Sequence, residues 1–549
     1  MSEFPNFVNS KEDKGVTYFR VFVILCFVAA LLFVIYLVVQ VVPAMSNVFV
    51  YQRNRNSIEG NGAIWTQNIG GSNDEETIKV FEDEYTSNVV VFGNTESLDY
   101  DLETLNAGDN TQKSNTKRTD TRDTNSNKAG YIAILDKDGT TIEFVPLRQY
   151  GVGRIVKVII ADNFYFVLSD DGDGGDMVTL TKVSLDIGRI GLGNDTNNTR
   201  DVLNVAHNKA VSQDIIGETI QITTNPSNKN KFALDIFYND DLTKPLLLVL
   251  IAERSTSQYD KIGFFAATID INNQMEQMEQ ISDATTTNDE YSLLYIEGYY
   301  FQGNRLILFA NRHNGSKIVH AVCIDFYIGY SGEINPIQLA KNLQYEALAI
   351  MPQNNGGYTI VCKALDNDDE ISLQIISIKQ DFNGVNNETI LSQNPLSAKL
   401  IPAVTGYYLF VIFENGGKLF FGKDSNTNAI IVEEIGASDF VNDITKVTDY
   451  DHIDYFQNQL LVVGETKNDI FVLRLSGNTV MYKQKFGGGG IEQNARLLIG
   501  QNVEQGQGTN QRVVVAYDST SGTLGNSDGI IPNNFGGSDT IAMKLDIAY

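Results

Sequence analysis

Within Asp170-Asp-Gly-Asp-Gly-Gly-Asp176, the carboxylates of Asp170, Asp171, Asp173 and Asp176 crowd into one short turn with glycines between them. Calcium takes several hard oxygen ligands from such a turn, and glycine permits the sharp bend. The spacing is not that of an EF-hand, however, and no glutamate stands at the twelfth position. A solvated turn between two strands is the simpler reading, with a Ca2+ site as the alternative and no other cofactor expected. Asp366-Asn-Asp-Asp-Glu370 has a similar look but lacks a following glycine.

Other chemistry-bearing residues are scattered. His207, His313, His320 and His452 show no HExxH or other ligand spacing. Of the three cysteines, Cys26 lies in an apolar run and Cys323 and Cys362 in strand-like segments, which is no disulfide framework. No G-x-S-x-G elbow and no P-loop occurs. Lys79, Lys157, Glu346, Lys399 and Arg496 lie on candidate inner strands, mixed in sign and with no histidine or paired carboxylates in register. Functional sites collect perturbed titratable groups in a cleft. On this reading nothing collects them, so the chain is expected to bind and not to be an enzyme. The alternative is an enzyme or metal site in a central channel.

The elements that must carry these residues are short strands. The most apolar runs are NVVVFG, FYFVLS, LLLVLIA, RLILFA, YTIVCKA, YYLFVIF, LLVVGE and RVVVAY, each bounded by Gly, Asn or Asp. A third strand follows each of them, such as YIAILD after the first and IAMKLDI after the last. Two polar excursions break the rhythm. One, Glu96 to Lys128, is too polar to bury anything. The other, Asp186 to Lys231, has room for an extra hairpin.

The two ends of the chain read as halves of one unit. Asp469, Phe471, Leu475, Gly477, Gly488 and Gly489 mark a complete unit in NDIFVLRLSGNTVMYKQKFGGGG. The C-terminus supplies its first half with Gly536, Gly537, Ser538, Asp539, Ala542, Lys544, Leu545 and Asp546, and the N-terminal side supplies its second half with Trp65, Gly70, Gly71, Ser72 and Asp74. This pattern resembles the SBBP-type β-propeller repeat, clearest in the first blade and the last two. The resemblance implies a fold and no activity. The fold class expected is all-β: a single large propeller of eight blades (seven if a middle blade is mis-parsed), closed by pairing of the N- and C-terminal strands. Ile64 and Trp65 are expected to meet Ile541, Met543 and Leu545 there, with Trp65 largely buried.

Val21 to Val42 reads VFVILCFVAALLFVIYLVVQVV, long enough for a helix across a ~30 Å hydrocarbon core, and Pro43 ends it. A signal peptide has a shorter apolar core of about 7–15 residues. The expected organisation is an N-terminal tail at 1–20, a transmembrane helix at 21–43, a tether at 44–61 and the propeller at 62–549. Lys11, Lys14 and Arg20 against Arg53 and Arg55 slightly favour a cytoplasmic N-terminus. The net charge of −27 lacks the basic face that nucleic acid requires. The expected partners are therefore the lipid bilayer and a protein or glycan held by blade loops. A structural place in a membrane-bearing particle, such as a large DNA virus, fits the Asn-rich composition.

Overall fold

The computed structural model describes the strands between residues 63 and 545 and the shorter connections between them. Residues 1–62, 546–549 and the longer connections, among them 101–117, 120–127, 190–215, 281–292 and 521–537, lie outside the described residues. So does the expected membrane helix at 21–43. Among the described residues no helix is long and apolar enough to cross a membrane.

The second strands read as unbroken apolar runs because both of their faces are buried. In Val89–Thr95, Val89 and Val91 pack toward the last sheet with Val514, Ala516 and Ala542, while Val90 and Phe92 pack toward the second sheet with Val158, Tyr165 and Val167. The core is thus a series of slabs between neighbouring sheets. Eight four-stranded antiparallel sheets result, seven of them with their strands in chain order. Their first strands are Glu75–Glu82, Arg154–Ala161, Lys229–Asn239, Leu293–Gln302, Tyr345–Pro352, Pro395–Ala403, Ile444–Asp454 and Glu492–Gln501. Each sheet touches the next, and the eighth touches the first. The fold is all-β and propeller-like.

The eighth sheet takes its outer strand, Ala63–Ile69, from the other end of the chain. That strand runs antiparallel to Asp539–Leu545, with Thr66 opposite Met543 and Asn68 opposite Ile541. Ile64 falls in an irregularity between Ala63 and Trp65. Ile541, Met543 and Leu545 are buried. Trp65 is half-buried and packs against the slab of Ile69, Val91 and Tyr131, with solvent on the far side of the outer strand. Its ring covers the turn at Gly139 in the first sheet, where a Cβ would fall 2.4 Å from the indole, and its Nε1 donates to the Lys137 carbonyl at 3.2 Å. Truncating a core aromatic costs about 3–5 kcal/mol. For this half-exposed ring we expect Trp65→Ala to cost about 1–3 kcal/mol in denaturant unfolding.

The glycine clusters of the repeat have a steric cause. A Cβ on Gly70 would lie 2.4 Å from Asp539 Oδ1, and one on Gly487 would lie 2.0 Å from Asp469 Oδ1. At both places a glutamate from the next first strand, Glu75 or Glu492, also closes on the same point. The recurring Gly, Asp and Glu are therefore one packing unit, used at two successive seams.

Every first strand carries a β-bulge against its second strand. A bulge leaves a backbone group outside the ladder and re-aims the side chain that follows. At four successive seams a polar side chain near the end of one second strand accepts a backbone N–H at the bulge of the next sheet. Glu465 accepts from Asn494 at 2.9 Å, Asp518 from Thr77 at 2.7 Å, Asn94 from Ile155 at 2.6 Å and Asp170 from Ala233 at 3.2 Å.

Of the excursion at 186–231, residues 190–215, where an extra hairpin was expected to find room, lie outside the described residues. Its later part is Ile216–Ile222, the outer strand of the second sheet, followed by the start of the third sheet's first strand at Lys229. The excursion at 96–128 contains a two-residue pairing of Asp99–Tyr100 with Arg118–Thr119.

Candidate functional site

The residues that follow a bulge in the first strands are Lys79, Lys157, Asp235, Gly298, Ala349, Ser397, Asp449 and Arg496, with Asp449 following the middle one of three irregularities in the seventh. Sheets seven, eight, one, two and three thus supply a charged arc, and sheets four, five and six a small-residue arc. Lys399 lies two residues beyond Ser397 and so projects from the same face of its strand.

The charged residues meet across the ring. Lys79 Nζ lies 2.8 Å from Asp449 Oδ2, joining first strands 370 residues apart. Asp449 also accepts the Leu497 amide at 3.1 Å and that of Tyr450 at 3.0 Å. Lys157 Nζ lies 3.3 Å from Asp235 Oδ2, and Asp235 Oδ1 accepts the Ile236 amide at 2.6 Å. Burial raises the Asp235 carboxyl above its ordinary range, with Lys157 and Lys399 opposing the shift. Arg496 donates from Nε to the Ile78 carbonyl at 2.7 Å and from Nη1 to that of Ala495 at 3.3 Å.

Lys399 makes no ion pair among the described residues. It is open to solvent along the axis yet enclosed by protein, and its Nζ lies 5.8 Å from the centre of the Tyr450 ring. Burial first, and then the Lys157 charge, lowers its amine below the usual lysine range, while Asp449 and Asp235 pull the other way. Asp451, one alternation beyond Asp449, is raised mainly by burial, and His452 is lowered mainly by burial. Desolvation and like charge shift these groups as expected for an enclosed cluster.

The sequence-level site fares differently. Asp170 is buried at the end of Phe164–Asp170, where Arg154 reaches it with Nε at 3.1 Å and Nη2 at 3.2 Å, and it also accepts the Ala233 amide. Its carboxylate is thus committed to holding sheets together. Asp171 is half-buried beside it, and Asp173 and Asp176 lie outside the described residues. Among the described residues no group of three or more His, Cys, Asp or Glu is placed to hold a metal ion. Cys362 is a buried free thiol, pushed well up by burial. Asp235, Asp449 and Asp451 were missed from sequence, because Lys229–Asn239 and Ile444–Asp454 are polar and do not look like inner strands. The available signal was the alternation Val447, Asp449, Asp451 directly before an apolar second strand.

No family model matches the chain, and no curated protein matches it in sequence. Solved structures resemble it. Prolyl oligopeptidase B from Galerina marginata is 9% identical, with a TM-score of 0.42 over 87% of this chain and 60% of that one. A puromycin hydrolase variant is 8% identical, with a TM-score of 0.40 over 82% of this chain. The WD40 domain of SCAP from fission yeast is 8% identical, with a TM-score of 0.36 over 87% of each chain. The chain spans 60% of the length of the puromycin hydrolase. Likeness at this level concerns the fold alone.

The expectation that the chain is not an enzyme is corrected here. Two of these similar structures are by name a hydrolase and an oligopeptidase, so a fold of this kind is no ground for excluding catalysis. The specific reason for exclusion also fails, since first strands far apart in sequence do bring ionisable groups together on the axis. Neither point gives this chain an activity.

Proposed function

We propose that the chain is one eight-bladed propeller of the SBBP repeat type, closed by its terminal strands and held off a cellular or viral membrane by the helix at 21–43. Its function on this reading is to bind a small charged ligand where the first strands converge. The observation that carries this is the set of six charged side chains from six different first strands, Lys79, Lys157, Asp235, Lys399, Asp449 and Arg496, opposite Gly298, Ala349 and Ser397. Concave sites with a few convergent polar groups and perturbed titratable residues are the usual places for ligands.

A protein or glycan partner would engage the loops. The excursions at 96–128 and 190–215 leave opposite ends of the sheets, since one joins second to third strand and the other third to fourth. A partner docked on one face therefore meets only one of them.

The test uses the full chain in lipid nanodiscs, with thermal unfolding followed against panels of anionic, cationic and neutral small molecules. At least one charged compound should raise the melting temperature by several degrees, and Lys399→Met should remove that rise. Stabilisation only by neutral glycans, unchanged in Lys399→Met, would contradict an axial charged site. The same preparation tests the anchor: the protein should resist alkaline carbonate extraction from membranes, and a chain starting at residue 46 should not.

A further inference from the structure

We infer that the axial ligand is a small oxyanion, a carboxylate or a phosphate, received by Lys399 with Lys157 beside it; this rests on the reading that the axis is a ligand site. The arrangement of charges points to that sign. Asp449 is met by Lys79 and two backbone amides, and Asp235 by Lys157 and one. Arg496 spends its hydrogen bonds on backbone carbonyls, which leave its charge uncompensated, and Lys399 has no carboxylate partner among the described residues.

Among the described residues, four cations (Lys79, Lys157, Lys399 and Arg496) stand with three carboxyl groups (Asp235, Asp449 and Asp451). Burial raises Asp235 and Asp451 and lowers His452. These described residues carry more cations than carboxyl groups, inside a chain whose net charge is −27.

The Lys157 charge is one of the causes that lower the Lys399 amine, and an oxyanion held at Lys399 opposes it. Charge-assisted bonds to an oxyanion then replace water on Lys399. The corresponding positions of sheets four, five and six are the short residues Gly298, Ala349 and Ser397. A cation would instead need free carboxylates, whereas Asp235 and Asp449 are met by lysines and Asp451 accepts the His452 amide.

The test is calorimetry on the full chain in nanodiscs at fixed ionic strength. Inorganic phosphate and succinate are titrated separately, with spermidine and calcium chloride as the opposite-sign arms. Binding of phosphate or succinate should weaken at least tenfold in Lys399→Gln, recover in Lys399→Arg, and fall as potassium chloride rises. Which of the two binds tells phosphate from carboxylate chemistry. Lys399→Gln should unfold at the same temperature as the parent without ligand, since it removes a desolvated charge with no ion pair. If spermidine or calcium binds and Asp449→Asn abolishes it while neither anion binds, the oxyanion inference is overturned and the axial site stands. If no titrant binds, both fall.

Discussion

Raising the pH from 5 to 8 should destabilise the folded chain, and Asp518→Asn should flatten that dependence. Asp518 is fully buried at the seam between the eighth and first sheets. It accepts from the Thr77 amide at 2.7 Å, the Thr77 hydroxyl at 2.6 Å and Asn494 Nδ2 at 2.8 Å. Those donors favour the carboxylate, but burial outweighs them and, with Glu76 nearby, pushes the carboxyl from 3.8 up to about 7.

The folded state therefore holds a proton that the unfolded chain has already lost. Its stabilising contribution is fully present below pH 3.8 and is lost as the pH rises through about 7. A shift of that size is worth up to about 4 kcal/mol. The amide of Asp518→Asn can still accept from Thr77 but turns a donor toward Asn494, a pH-independent cost of about 1–2 kcal/mol. The variant should be less stable than the parent at pH 5 and match or exceed it at pH 8. Parallel stability profiles from thermal unfolding in detergent would show that this carboxyl does not titrate as described.

The second large effect concerns the outer strand of the eighth sheet. A chain beginning at residue 62 should melt cooperatively, and one beginning at residue 74 should not. Without Ala63–Ile69, the strand Asp539–Leu545 becomes an open edge, and Ile69 leaves the slab that it shares with Val80, Val91 and Ala542. The buried bond from Asn68 Nδ2 to Asp539 Oδ2, 2.8 Å, goes as well. Open edges are templates for aggregation. The shorter chain should precipitate or unfold without a sharp transition, and a peptide of residues 62–74 supplied in trans should restore the transition. Equal melting temperatures for the two chains would mean that the terminal strand is dispensable.

The second and third strands were legible because burial on both faces writes an apolar run, as in Leu246–Ser255. The join of the two ends was legible for a different reason: Trp65 to Gly71 and Gly536 to Asp546 repeat chemistry found intact at Asp469 to Gly489. The first strands were harder. They line a polar axis, and the bulge inserts a residue that breaks the two-residue alternation, so Ile444–Asp454 reads as a loop. Lys79, Lys157, Lys399 and Arg496 were legible as inner-strand residues, but their aspartate partners were not. Lys79 and Asp449 become neighbours only once each sheet's register is known, and no local spacing reports that. In the Asp170 turn, read as a solvated turn with calcium as the alternative, Asp170 is held by Arg154, and Asp173 and Asp176 lie outside the described residues.

The central claim is that first strands distant in sequence meet on one axis. It is tested most directly by a double-mutant cycle on Lys79 and Asp449, using Lys79→Met, Asp449→Asn and the pair, with unfolding free energies measured for the full chain. The two groups lie 2.8 Å apart and are partly exposed. A coupling of about 1 kcal/mol, shrinking as salt is added, is predicted. Additive effects, with no coupling at any ionic strength in variants that remain folded, would contradict the convergence of the first strands and the site built on it.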